Sequence, residues 1–355
     1  MPSNIAPVSD CHHNQSNIRG YLGSSFKWLK WPSWPSVRGM ALAAPLTLCD
    51  MLAADRVYGL VALVGGGREG LGRLFLVGLP RRPPPLETVC RRHVEIAELG
   101  ERFGLLTALT WVDLHNTQLG RLPESFGQLT RLRRVRLTNN QLTVLPESFC
   151  QLATLTEAVL DSNQLTALPE SFGQLAALQI LQIPDNRLAR LPESLGQLAA
   201  LQEIDLDRNN LRQLPESIGQ LTSLRVLQFA YNRCATLPKS LCQLTALEGL
   251  YGDENQLTAL PESLHQLTAL VDLCVTANQL TALPESLGQL PRLRNLELAG
   301  NPLVGLPESA RRLEGRLWYV SGVPPQVFRR LVPPERRPGV SDTPGHTWTR
   351  LDTPV

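Results

Sequence analysis

LPESFGQLTRLRRVRLTNNQLTV, residues 122–144, decides how the rest of the chain is read. LPES returns at Leu145, Leu168, Leu191, Leu214, Leu260, Leu283 and Leu306, and Leu237 opens the variant LPKS, every step repeating the length of that first stretch. A fixed period of this size marks stacked units, none of which can bury its apolar face alone. Inside the unit, Val135 and Leu137 alternate with Arg134 and Arg136, the period-two pattern of a half-buried strand. Pro123 suits the first position of a helical segment, where no backbone donor is needed, and Glu124 follows where a negative charge complements the helix dipole. Phe126, Leu129 and Leu132 then recur at helical spacing and are expected to point inward.

Stacking such units sets the short strands side by side as a parallel sheet, about 4.8 Å apart. Helical segments are wider than strands, so the array is expected to curve with its sheet on the concave side. Asn140 recurs as Asn163, Asn186, Asn209, Asn232, Asn255, Asn278 and Asn301, where the chain turns inward. A buried amide there can donate to and accept from the backbone of adjacent turns. Without such partners it would cost about 1–3 kcal/mol, so the ladder is read as structural.

The pattern LPxxLxxLxxLxxLxLxxNxL resembles the leucine-rich repeats, in the 23-residue subclass found in bacterial repeat proteins and in Ras-suppressor-like and plant Ras-group-related proteins. The resemblance covers residues 99–318. It implies an α/β solenoid, a horseshoe with a parallel sheet on its concave face and short helices or 3-10 turns on its convex face. A degenerate first unit, residues 99–121, stays in phase through Leu99, Phe103, Leu106, Leu109, Val112, Leu114 and Leu119, with Thr117 in the asparagine position. The expected division is a mostly unstructured region over 1–85, a capping helix over 86–98, the repeats with their carboxy-terminal cap over 99–320, and a Pro/Arg-rich tail over 321–355. The last turn slips register by one after Leu313, with Trp318, Tyr319 and Val320 closing the end and a short helix near residues 326–332.

The units can be compared with one another. Their helical side is nearly copied (PESFGQLT, PESFCQLA, PESLGQLA), whereas the polar positions around the strand differ almost everywhere. A uniform scaffold with a varied concave face is what recognition requires. The candidate partner-binding residues are Trp111, Arg134, Arg136, Glu157, Asp161, Glu203, Asp205, Asp207, Tyr231, Tyr251, Asp253 and Asp272. Arg133, Arg134 and Arg136 make a basic patch near the amino end, and the acids follow it. Aromatic and arginine side chains are frequent interface hot spots. A protein or peptide with a basic segment meeting the central acids is therefore the expected partner. Gly252 falls where a buried aliphatic residue belongs, and the ring of Tyr251 is expected to turn in and fill the gap. Cys150 and Cys242 replace the helical glycine and Cys234 an inward leucine, all three read as small buried residues.

A formal charge of +2 over 355 residues demands neither nucleic acid nor an anionic membrane. The seven cysteines are scattered with no CxxC pair, consistent with free thiols in a reducing compartment. The apolar run over 39–52 is preceded by too many residues for a signal peptide and is too short to span a bilayer. A cytoplasmic monomer, without membrane, metal or cofactor, is expected. Gly65, Gly67 and Gly70 spell GxGxxG, but Pro80, Pro83, Pro84 and Pro85 break the βαβ unit a dinucleotide would need, so a flexible link is preferred. Cys11, His12 and His13 have no second ligand cluster. Apart from the adjacent His12 and His13 the six histidines lie far from one another, and no GxSxG, HExxH or P-loop occurs, so no enzyme is read. A scaffold or regulator in intracellular signalling is the first reading. The alternative is the recognition part of a bacterial effector or ubiquitin-ligase-type enzyme whose catalytic domain is absent here.

Overall fold

The computed structural model describes residues 61–64, 73–76, 88–90, 96, 98–317 and 319–323. The fold is a leucine-rich-repeat-type solenoid. Strands β1 (Val61–Val64), β2 (Arg73–Leu76) and β4 (Glu98–Leu99) form a small sheet in which β1 pairs antiparallel with β2 and β2 parallel with β4. The principal sheet is open, parallel and eleven-stranded. It runs through β3 (Thr88–Cys90), β5 (Trp111–Asp113), β6 (Arg134–Arg136), β7 (Glu157–Val159), β8 (Ile180–Gln182), β9 (Glu203–Asp205), β10 (Val226–Gln228), β11 (Gly249–Tyr251), β12 (Asp272–Cys274), β13 (Asn295–Glu297) and β14 (Tyr319–Ser321). Neighbours pair one repeat length apart from Thr88↔Trp111 to Asp272↔Asn295, and Asn295 then pairs with Tyr319, a single position beyond that length. The expected slip of one residue is thus taken up before β14. Val320 is buried there, and Trp318 and residues 326–332 lie outside the described residues.

Between successive strands of this sheet lies a short 3-10 turn such as Glu124–Gln128. Pro123 is not its first residue but its cap. Its backbone is extended (ψ 155°), and its carbonyl accepts the Phe126 N–H at 3.0 Å. A three-residue turn period places Phe126, Leu129 and Leu132 on one side, all fully buried. The rings of Phe103, Phe126 and Phe149 stack at centroid distances of 5.8 and 6.0 Å, and Leu195, Ile218, Leu241, Leu264 and Leu287 continue the column. Each such side chain contributes roughly 1.5–3 kcal/mol by burial.

The asparagine ladder knits successive turns. Asn163 Nδ2 donates to the Leu137 and Leu160 carbonyls at 2.9 and 3.0 Å, and its Oδ1 accepts the Leu142 N–H at 3.1 Å. The residue just before each ladder asparagine, from Asn139 to Ala277, takes a left-handed φ of 52–56°. In the first unit Thr117 does part of the work: its N–H donates to Asn140 Oδ1, and its hydroxyl has the Leu114 carbonyl at 3.0 Å and Asn140 Oδ1 at 2.9 Å as acceptors for its single proton.

The turns stack so closely that a Cβ on Gly127 would lie 2.2 Å from the Ser148 carbonyl oxygen, so this slot excludes a side chain unless the next turn moves. The cysteines show the move. After Cys150 and Cys242 the next turns start late, as Phe172–Gln174 and Leu264–Gln266, with Ser171 and Ser263 at their caps. His265 fills the same slot within an already displaced turn, and its side chain is exposed.

Two expectations are corrected. Within the expected capping helix, Thr88–Cys90 is a strand, one repeat length before Trp111–Asp113, and takes the next slot in the sheet, while Ile96 is fully buried at the same interval before Leu119; residues 86–87, 91–95 and 97 lie outside the described residues. The repeat therefore continues, unrecognised by its leucines, into the cap. In the region 1–85, β1 and β2 pair on either side of the Gly-rich segment; residues 65–72, where a flexible link is expected, and most of that region lie outside the described residues. Secondly, the gap at Gly252 is filled by Phe229, whose Cζ would lie 2.4 Å from an added Cβ, and not by Tyr251. Phe229 holds the same column position one turn earlier, so a large and a small residue share the space of two leucines.

Candidate interaction surface

The outward face of the principal sheet presents two rows from each strand, its first and third residues, and a third row two residues further on. Side chains alternate across a strand, so the middle residues Val112 to Leu296 enter the core and the flanking ones face out. The structure places every candidate on this face or on the turns that border it.

At the amino end Trp111 is 39% exposed. Beside it on β6 the two arginines differ. Arg134 Nε lies 3.4 Å from Glu157, whereas Arg136 is exposed with no ion-pair partner among the described residues. Next comes a shallow depression of about 370 Å³ lined by His115, Arg136, Thr138, Val159, Asp161, Gln182, Pro184 and Asp205. Three of the candidates, Arg136, Asp161 and Asp205, meet there. Val159, Gln182, Pro184, Thr138 and His115 complete the lining, and neither a fixed charge nor a large ring marks them in the sequence. Their signal was positional, since each occupies the third-strand row or the row after it. Asp113, in the same outward row, is fully buried and holds His115 Nδ1 at 2.8 Å.

Several acids are also tied into the scaffold. Asp161 accepts the Thr138 hydroxyl at 2.6 Å, Asp205 the Asp207 N–H at 3.0 Å, Asp207 the Ala230 N–H at 2.7 Å and Asp253 the Thr276 N–H at 2.8 Å. Glu203, by contrast, is exposed on β9 with no such tie among the described residues. Tyr251 folds back over Gly249 and donates its hydroxyl to Asp272 at 3.1 Å. Tyr231 belongs to the left-handed turn after β10 (φ 56°), 49% exposed, with the Arg208 guanidinium 4.6 Å above its ring and Arg208 in turn 3.9 Å from Asp185.

Towards the carboxy end the acids crowd. Burial pushes Asp253 above the usual carboxylate range against the pull of the Thr276 N–H, and the charge of Asp207 adds to the rise. Burial likewise raises Glu297, helped by Asp253 and Asp272, and raises the thiol of Cys274 beside it. Cys234 is pushed up to about 12 by burial alone, and burial raises Cys150 and Cys242 too, so all four are protonated, unreactive side chains at neutral pH. Among the described residues no group of histidine, cysteine and carboxylate side chains could hold a metal ion, and no helix is long and apolar enough to cross a membrane.

Comparison with known proteins agrees with this geometry. A family model described as a leucine-rich repeat region matches residues 193–309, and another described as leucine rich repeat matches 107–165 and 153–211, so that together they span more than half of the chain. The chain belongs to the leucine-rich repeat proteins. Among solved leucine-rich repeat structures, it is similar to the plant peptide hormone receptor RGFR1 in complex with RGF2, with 29% identity and a TM-score of 0.59 over 66% of this chain and 39% of that one. It is also similar to the Drosophila Toll–Spatzle complex, with 22% identity and a TM-score of 0.52 over 60% of this chain and 34% of that one. A leucine-rich repeat protein of Leptospira interrogans is 28% identical over 61% of this chain and 73% of that one, at a TM-score of 0.37. No protein of the curated set matches. The chain spans well under half the length of the first two of these neighbours.

Proposed function

We propose that the outward face of the sheet binds a protein or peptide partner, and that the chain acts as a scaffold or regulator of signalling in the cytoplasm. The observation that carries the reading is the contrast between rows. Turn positions are repeated almost unchanged because stacking constrains them, while the outward strand positions are free of that constraint and carry Trp111, Arg136, Glu203 and other large polar side chains. The similarity to RGFR1, a plant peptide hormone receptor in complex with RGF2, supports a peptide ligand. The crowded acids from Glu203 to Glu297 suit a partner with a basic segment. The four described cysteines are free, which supports a reducing compartment.

Affinity capture tests this, comparing the wild-type chain with a sheet-face variant (Trp111→Ala, Glu203→Lys, Tyr231→Ala) and a turn-face variant (Gln128→Lys, Thr130→Lys). Partners held by the wild-type and turn-face proteins and lost from the sheet-face variant are expected. Partners retained by the sheet-face variant and lost from the turn-face variant would refute the assignment.

A further inference from the structure

The depression over β6–β9 has a polarity that specifies its ligand further, on the reading that the sheet face is the binding surface. Along the third-strand row it runs Arg136, Val159, Gln182, Asp205, one residue from each of four consecutive strands. Arg136 stands at one end with no ion pair among the described residues, and Asp205 stands at the other. Between them in that row stand the neutral Val159, only 5% exposed, and Gln182, with Pro184 and the carboxylate Asp161 in the row beside them. Both carboxylates of the depression are held by the scaffold, Asp161 by the Thr138 hydroxyl and Asp205 by the Asp207 N–H, and Asp205 is the one in line with Arg136.

We propose that this depression takes an extended peptide lying across the strands, with a carboxylate side chain on Arg136 and a lysine or arginine on Asp205. Three strand spacings separate the two ends, about 14 Å, and an extended chain advances about 3.3 Å per residue, so the two charged residues of the ligand stand about four positions apart. The side chain midway between them lies over Val159 and Pro184 and is small or apolar. A ligand with the charges reversed meets like charge at both ends, which makes the site directional.

The test uses the full chain as bait for a displayed library of random dodecapeptides. Enriched sequences are expected to carry an acidic residue and a basic residue four positions apart. A synthetic peptide of that pattern should bind about five- to tenfold more weakly to Arg136→Gln and to Asp205→Asn. The asparagine keeps the acceptor for the Asp207 N–H, so the fold is preserved while the charge is removed. The charge-reversed peptide should bind the double variant Arg136→Glu, Asp205→Arg better than it binds the wild type. Enriched peptides that lack the spacing, or that ignore Arg136 and Asp205 while depending on Glu203 or Tyr231, would overturn this inference and leave the sheet-face reading intact. Failure to enrich any peptide whose binding responds to a sheet-face substitution would overturn both.

Discussion

The two faces of each repeat obey different rules. On the turn side, the glycine after Phe126 has 2.2 Å between a would-be Cβ and the next carbonyl, and even a thiol in the equivalent slot displaces the following turn. On the sheet side, the residue facing out from the first strand position is tryptophan, arginine, glutamate, isoleucine or glycine with the backbone register unchanged. Close packing of backbone against backbone leaves no freedom, whereas side chains facing solvent above a hydrogen-bonded ladder leave a great deal. Stability and recognition are therefore carried by different residues of the same repeating unit.

Removing a ladder amide should break the scaffold most. Asn163→Ala strands the buried Leu142 N–H and removes one of the two amide donors from each of the Leu137 and Leu160 carbonyls, which Asn140 and Asn186 still serve, and a loss of about 3–4 kcal/mol is expected by chemical denaturation. The Phe229–Gly252 pair gives a sharper test of packing. Gly252→Leu alone should cost about 3 kcal/mol by overpacking against the ring, and Phe229→Leu alone about 1–2 kcal/mol. The double variant restores the ordinary column and should lie near wild type, giving a double-mutant coupling of several kcal/mol. Within the turn row, Gly196→Ala should cost about 2 kcal/mol, because its Cβ would meet the Ser217 carbonyl oxygen, while Cys150→Ala should cost less than half as much because the next turn has already moved.

Much of this division can be read from residues alone. The constant repeat step fixed strand, turn and ladder because each is demanded once per unit by backbone hydrogen bonding, and Asn140, Val135 and Leu137 announce it directly. The cap escaped because Thr88, Val89 and Ile96 keep the phase without the leucines that make it visible. The Phe229–Gly252 exchange escaped because the two positions are adjacent only in the stack and a whole repeat apart along the chain. On the sheet face the row positions were plain, but which acids are held by the scaffold was not. That depends on the reach of individual carboxylates to hydroxyls and N–H groups of the next turn, as Asp161 to Thr138 and Asp207 to Ala230 show.

The crowded carboxy-terminal acids predict the smallest effect. Burial raises Asp253 and Glu297 in the folded chain, so between the ordinary carboxylate range and their raised values the native state holds protons that the unfolded state has released. Stability contributed by the protonated acids is present below the ordinary range and is lost as pH rises through the raised values. Asp253→Asn with Glu297→Gln should raise the Tm by about 1–3 °C at pH 7, and the gain should vanish near pH 4, as thermal melts at the two pH values will show.

The central claim, that one face holds the fold and the other recognises a partner, is tested most directly by a substitution scan read twice, once for protease resistance and once for binding of a captured partner. Changes at Trp111, Arg136, Glu203 and Tyr231 should reduce binding with protease resistance near wild type, and changes at Asn163 and Gly196 should reduce protease resistance. Binding that survives every outward sheet substitution and fails on exposed turn positions such as Gln128 would contradict it.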